Sequence, residues 1–325
     1  MKKQIETDNH PLDLDAGATV VIPVYNSEGS IEELTARLHI VLPQLFPDYE
    51  IILINDGSHD NSWKVIQKLC QHPRVRGFNL MRNFGQHNAL LCGIRSARFE
   101  TIITMDDDLQ HPPEQLPLLV ETYNKGYDVV YAVPKKLPHS WWRNLGSKLT
   151  KFTLSKFMRI PIQEIGAFRI FRTELRNAFA DYHSPDVYID PLLSWGTTNF
   201  GHVFVEEDQR KVGTSNYTFR KLVHAGLLIL TGYSTIPLRL ASTLGFVFMI
   251  VGFLILIYAL IIKLAFDSVA GFPFLASIIA LFSGVQLFTL GIIGEYLARM
   301  YDRSTDRPPY IVKSEVTGRN DDLES

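Results

Sequence analysis

Residues 101–114 read TIITMDDDLQHPPE. The first five are β-branched or apolar and offer no polar face, the pattern of a short strand buried on both sides. Three carboxylates, Asp106, Asp107 and Asp108, follow without a break, and Pro112 and Pro113 then open a helix to about Lys125. The same order, apolar run, polar turn, helix, recurs upstream. Residues 19–24 (TVVIPV) lead into YNSEGS and a helix over about 31–45. Residues 50–54 (EIILI) lead into NDGSHDNS, rich in helix-capping side chains, and a helix to about Cys70. A third strand is expected at 75–79, a third helix at 88–97, and a fifth strand at 128–132 (DVVYA). Strand–helix alternation with continuous apolar strands predicts an α/β fold, a mostly parallel sheet covered by helices. Ligands in such sheets bind beyond the carboxyl ends of the strands. The polar clusters 25–28, 55–60 and 106–110 all fall there.

Three adjacent carboxylates repel one another, and a divalent cation with hard oxygen ligands, Mg²⁺ or Mn²⁺, would compensate. On extended backbone Asp106 and Asp108 point to the same side, and Gln110 could add a third oxygen. A solvated acidic loop or helix cap is the alternative. Asp56 has a similar choice between capping a helix and accepting hydrogen bonds from a base or ribose. Tyr25 and Glu28 stand between loop structure and nucleotide contact. There is no P-loop, and no Gly-x-Gly-x-x-Gly follows the first strand, which argues against a dinucleotide-dependent oxidoreductase.

The chain has 325 residues, 46% hydrophobic and 20% charged, with a net charge of −2. That balance gives no global attraction to nucleic acid. Its two cysteines, Cys70 and Cys92, form neither a metal motif nor a disulfide framework. Residues 1–17 read as a polar, flexible leader. Residues 240–262 and 272–294 contain no charge, and each is long enough to cross a bilayer core of roughly 30 Å. A pair of buried core helices is the alternative. Lys263 and Asp267 lie in the short loop between them, and Arg210, Lys211, Arg220, Lys221, Arg239, Arg299, Arg303 and Arg307 lie outside. The positive-inside rule then places the large N-terminal domain and both termini in the cytoplasm. Residues 140–159 pair Trp141, Trp142, Leu145, Leu149 and Phe152 with interspersed Lys and Arg, as an amphipathic helix at a bilayer interface would. A second interfacial helix is expected over 217–238. The expected division is a leader at 1–17, a catalytic domain at 18–213, a juxtamembrane helix at 214–239, a transmembrane hairpin at 240–295 and a cytoplasmic tail at 296–325.

At these residues the sequence resembles glycosyltransferase family 2, within it the membrane-anchored polyprenyl-phosphate glycosyltransferases. VVIPVYNSE, INDGSHDNS, RNFGQHNALLCGI (82–94) and MDDDLQHPPE carry the likeness in the soluble part. RKVGTSNYTFRKL (210–222), STIPLRL and GEYLARMYDRSTDRPPYIV carry it around the two apolar spans. The resemblance implies a GT-A-type sheet and transfer of a sugar from a nucleotide sugar, UDP-linked by family habit, to a polyprenyl phosphate with inversion. It implies that Pro23, Tyr25, Glu28, Asp56, Gly57 and Asp107 hold the nucleotide. Asp106 and Asp108 would hold the metal with Gln110, and Asp108 would thereby serve catalysis. Arg210, Gly213, Ser215 and Tyr217 would meet phosphates near the membrane. Glu164 precedes a Gly166-Ala167-Phe168-Arg169 element, so Glu164 and Arg169 become catalytic candidates. Many members carry Asp where Ala167 stands, and often Arg where Pro134 stands, leaving Lys135 or Lys136 as the phosphate-facing cation. A homo-oligomer, a tetramer in relatives, is also implied. A processive polysaccharide synthase, a non-catalytic sugar-binding scaffold and a lipid flippase are the competing readings.

Overall fold

Seven consecutive buried residues in β1 (Ala18–Val24) and again in β2 (Tyr49–Asn55) make the centre of a sheet, because neither strand has a face that tolerates water. The structure, a computed structural model, describes residues 17–135, 166–206, 235–266 and 271–318. The remaining strands are β3 (Val75–Leu80), β4 (Thr101–Thr104), β5 (Val129–Pro134), β6 (Arg169–Arg172), β7 (Phe200–Val205) and β8 (Val312–Thr317). They form one sheet in the order β7-β5-β6-β4-β1-β2-β3-β8. β1 pairs in parallel with β2 and β4, β2 with β3, and β5 with β7, while β6 and β8 run antiparallel to their neighbours. The sheet is therefore mixed but mostly parallel at its centre.

Helices α1 (Ile31–Leu45), α2 (Ser62–Leu69), α3 (Gln86–Ser96), α4 (Leu116–Tyr123) and α5 (Ile189–Gly196) belong to this unit. α1 turns Ile31, Leu34, Leu38, Val41 and Leu42 inward, the three-and-four spacing of a helix with one apolar stripe. α3 lies so close to the sheet that a Cβ on Gly93 would stand 2.4 Å from Val21 Cγ1. The helix expected from Pro112 to Lys125 is shorter, with a 3₁₀ turn at Pro113–Gln115 followed by α4.

Register fixes the working edge. Val24 lies opposite Asn55, and Val21 opposite Thr104. The carboxyl ends of β1, β2 and β4 thus open on the same side, and the aspartates after β4 run beside the end of β1. At the other end of the strands, Glu50 is buried and satisfied. It accepts hydrogen bonds from Thr19 Oγ1 at 2.8 Å and Arg98 N at 2.8 Å, and pairs with Arg76 at 3.2 Å. Arg76 also reaches Glu315 of β8 at 2.9 Å.

The tail expected from residue 296 is not uniform. A helix continues to Ser304, and β8 then adds an edge strand to the sheet. The chain divides into two compact units, Met1–Asn216 with Arg307–Ser325, and Tyr217–Asp306. The second unit contains α6 (Ile236–Phe266) and α7 (Phe272–Ser304), both longer than the charge-free runs within them. They touch through Phe248 and Phe282, whose ring centroids are 6.0 Å apart. The windows Pro237–Ile255 and Leu281–Ser304 are long and apolar enough to cross a membrane, yet only 6% and 0% of them are buried. Core helices would bury that surface, so these helices point to membrane association. The leader at 1–16 and the basic aromatic segment 140–159 lie outside the described residues, as do 217–234 of the second amphipathic stretch.

Candidate active site

Three loops meet beyond the carboxyl ends of β1, β2 and β3, and the acid run after β4 closes the group. The first two loops are laced together by side chains that satisfy backbone N–H groups. Asn26 adopts a left-handed φ of 54°. Its N–H donates to Ser58 Oγ at 3.1 Å, and its side-chain oxygen accepts from His59 N at 2.8 Å. Ser27 N donates to Ser62 Oγ at 2.9 Å, and Glu28 N to Asp60 Oδ2 at 3.1 Å. The Glu28 carboxylate accepts from Asn61 N at 2.8 Å, so this expected nucleotide contact is engaged in loop structure. Tyr25 is exposed and meets His59 edge-on at 6.4 Å, while Pro23 is buried within β1.

Asp56 is almost fully buried, with a relative exposure of 3%. Its two carboxylate oxygens accept from Phe84 N at 2.7 Å and Gly85 N at 2.9 Å. Burial pushes its pKa up, against the pull of those two N–H groups and of Arg82. Asp56 thus clamps the loop after β3. Gly57 is needed where that loop passes: its φ is +67°, and a Cβ there would stand 2.5 Å from Asn83 N. Gly57→Ala is therefore expected to destabilise the soluble unit by about 1–3 kcal/mol, read as a lower melting temperature of the detergent-solubilised protein. An unchanged melting temperature would contradict this close approach.

The three aspartates point to different tasks. Asp107 turns to β1 and accepts from Tyr25 N at 3.1 Å. Its pKa is raised to about 6, first by burial and then by Asp108, against the Ser27 hydroxyl and the Tyr25 N–H that lower it. Asp106 accepts from Gln86 Nε2, on the first residue of α3, at 2.5 Å. Asp108 accepts from Gln110 N at 3.1 Å across a turn in which Leu109 has φ 61°. The Gln110 backbone N–H thereby ties Gln110 to Asp108 within the turn. Among the described residues no group of three or more His, Cys, Asp and Glu side chains is arranged to hold a metal. Two half-exposed carboxylates at a strand end are nonetheless the donor set that Mg²⁺ and Mn²⁺ use when substrate phosphates complete the shell. The residues fit such a cation in that role.

Arg169 sits at the start of β6, opposite Thr104. It is 1% exposed. Its guanidinium pairs with Asp190 at the start of α5, and its Nε donates to Thr104 Oγ1 at 2.9 Å. Tyr131 OH donates to the same Asp190 oxygen at 3.0 Å. Arg169 is thus a buried strut beside the end of β4. Lys135 is half-exposed and pairs with Glu206 at 3.2 Å. Glu164, Lys136, Arg210, Gly213, Ser215 and Tyr217 lie outside the described residues.

Sequence reasoning passed over Gln86, His87 and Asp190. His87 stacks on Tyr188 at 5.0 Å, and its Nδ1 accepts from Ile189 N at 3.5 Å. Burial, the largest cause, holds its pKa down to about 4, so it is neutral near pH 7. Both Gln86 and His87 fall in the RNFGQHNALLCGI stretch, where no charged or metal-ligating spacing marked them.

The interlaced loops and the aspartate run lie together beyond the carboxyl ends of an open, mostly parallel sheet, the edge at which such folds bind ligands. The family profile "Glycosyl transferase family 2" matches residues 19–182, and the chain belongs to that family. Its curated relatives include undecaprenyl-phosphate 4-deoxy-4-formamido-L-arabinose transferase of Proteus mirabilis, 34% identical over 304 residues, covering 92% of this chain and 93% of the relative. The enzyme of the same description from Aeromonas hydrophila is 34% identical over 316 residues, covering 94% and 97%. Among solved structures, glucosyl-3-phosphoglycerate synthase from Mycobacterium tuberculosis in complex with Mn²⁺ and uridine-diphosphate-glucose aligns at 16% identity. It covers 67% of this chain and 79% of that one, with a TM-score of 0.48, a likeness that carries no functional argument.

Proposed function

We propose that this glycosyltransferase moves a sugar from a nucleotide sugar, UDP-linked, to undecaprenyl phosphate or a similar polyprenyl phosphate, with inversion. The carrying observation is the aspartate run at the end of β4, set where the loops after β1, β2 and β3 converge. Relatives that act on undecaprenyl phosphate over more than nine tenths of the chain support the acceptor class. Two long apolar helices support an acceptor that stays in the bilayer.

In this reading the laced loops and Tyr25 hold the nucleoside, while Asp106 and Asp108, assisted by Gln110, would hold the divalent cation. The chemistry such a cation would supply is neutralisation of the charge on the departing diphosphate. The acceptor phosphate oxygen is already anionic near pH 7 and needs no strong base. It attacks the anomeric carbon, a new C–O bond forms, and the bond to the nucleoside diphosphate breaks with its electrons. The chain's task is then orientation and charge stabilisation. Arg169 acts as a positioning residue, fixing the end of β4 from the neighbouring strand. Lys135 and the segment 210–217 are assigned to the acceptor phosphate, and Glu164 is assigned a catalytic role, both on the family resemblance. The large domain and both termini face the cytoplasm, and the chains assemble as a homo-oligomer.

Purified protein in detergent, given Mn²⁺, undecaprenyl phosphate and a panel of UDP- and GDP-sugars that includes UDP-4-deoxy-4-formamido-L-arabinose, is expected to release a nucleoside diphosphate with a UDP-sugar. Release from GDP-sugars alone would overturn the nucleotide assignment.

A further inference from the structure

We infer that Gln86 is a positioning residue that sets the Asp106 carboxylate for the divalent cation, an inference that rests on the metal reading above. Gln86 is the first residue of α3, and the start of that helix is held on several sides. Asp56 binds the N–H groups of Phe84 and Gly85. Asn88 Nδ2 donates to Phe84 O at 3.0 Å and to Pro185 O at 2.9 Å. At the far end, Arg95 donates to the carbonyls of Ala180 at 2.9 Å and Tyr182 at 2.7 Å. Gly93 lets the helix rest on Val21. From this fixed platform the Gln86 amide reaches Asp106 Oδ1.

The chemistry of the pair points to function. A carboxylate only accepts, so the amide must present its NH₂. A neutral donor orients the carboxylate without placing a positive charge that would compete with a cation. A lysine here would compete, and a glutamate would repel. Gln86 is exposed and Asp106 half-exposed. Losing the bond therefore strands no buried polar group, and the fold does not depend on it. Groups that hold a metal ligand from behind typically contribute about 10–100-fold to metal affinity.

The test is Mn²⁺ titration of the full chain in detergent with UDP present, read as free Mn²⁺ by electron paramagnetic resonance, beside metal-free melting curves. Gln86→Leu is expected to weaken Mn²⁺ binding about 10–100-fold and leave the melting temperature unchanged. Gln86→Lys is expected to weaken it further. Wild-type uptake of Mn²⁺ with equal uptake by Gln86→Leu would overturn the inference and leave the metal reading standing. No Mn²⁺ uptake by the wild type would overturn both. A lowered melting temperature in Gln86→Leu would make the residue a structural strut and overturn the positioning role.

Discussion

Asp108→Ala is expected to cut transfer by about 10³-fold or more while the protein stays folded. A cation that stabilises the departing diphosphate is worth several kcal/mol in the transition state, and each ~1.4 kcal/mol is a factor of ten in rate. The bond described for Asp108 ties its carboxylate to Gln110 N within its own turn, a contribution of about 1 kcal/mol to the fold. Activity and stability should therefore separate. Asp107→Ala is the contrasting variant, because that carboxylate holds Tyr25 N and the Ser27 hydroxyl and so anchors the acid run to β1. It should lose melting temperature as well as turnover. Nucleoside diphosphate release and thermal melting of both variants measure this. Full activity in Asp108→Ala would refute the metal assignment.

Asp190→Ala is expected to be the most destabilising single change in the soluble unit, by about 3–5 kcal/mol, because it leaves the Arg169 guanidinium buried without its counter-charge. Arg169 cannot shed its proton to escape, because a guanidinium stays charged in a protein interior. Tyr131 would lose its acceptor at the same time. The paired replacement Arg169→Met with Asp190→Leu removes both charges and should recover most of the stability. If it restores melting but not turnover, Arg169 serves the reaction by placing β4. If Asp190→Ala melts like the wild type, the ion pair does not hold this part of the fold.

The centre of the fold was readable because its strands are continuous apolar runs that end in polar turns. Residues 19–24, 50–54 and 75–79 fall within β1, β2 and β3, and the expected strand at 101–105 overshoots β4 by one residue. The antiparallel strands were not readable. RIFR of β6 is four residues long, with an arginine at each end, one of which is buried only because Asp190 waits for it. VKSEVT of β8 lies at the sheet edge and is mostly exposed, so it has no apolar face to betray it. At the site, the aspartate run announced a cluster but not a division of labour. The residues left Asp56 and Glu28 open between loop structure and nucleotide contact, with the latter implied by the family resemblance; in the structure both carboxylates accept backbone N–H groups of a neighbouring loop. Such pairings depend on which loops fold together, and nothing local in NDGSHDNS or YNSEGS records them. Gln86 and His87 were hidden for the same reason.

The most direct measurement is sugar transfer to undecaprenyl phosphate by the detergent-purified full chain, with a UDP-sugar that it accepts, before and after chelation. The account predicts a lipid-linked sugar that forms with Mn²⁺ or Mg²⁺, stops when EDTA is added and returns when the metal is restored. Undiminished transfer in excess EDTA, or release of nucleoside diphosphate that ignores the lipid phosphate, would contradict it.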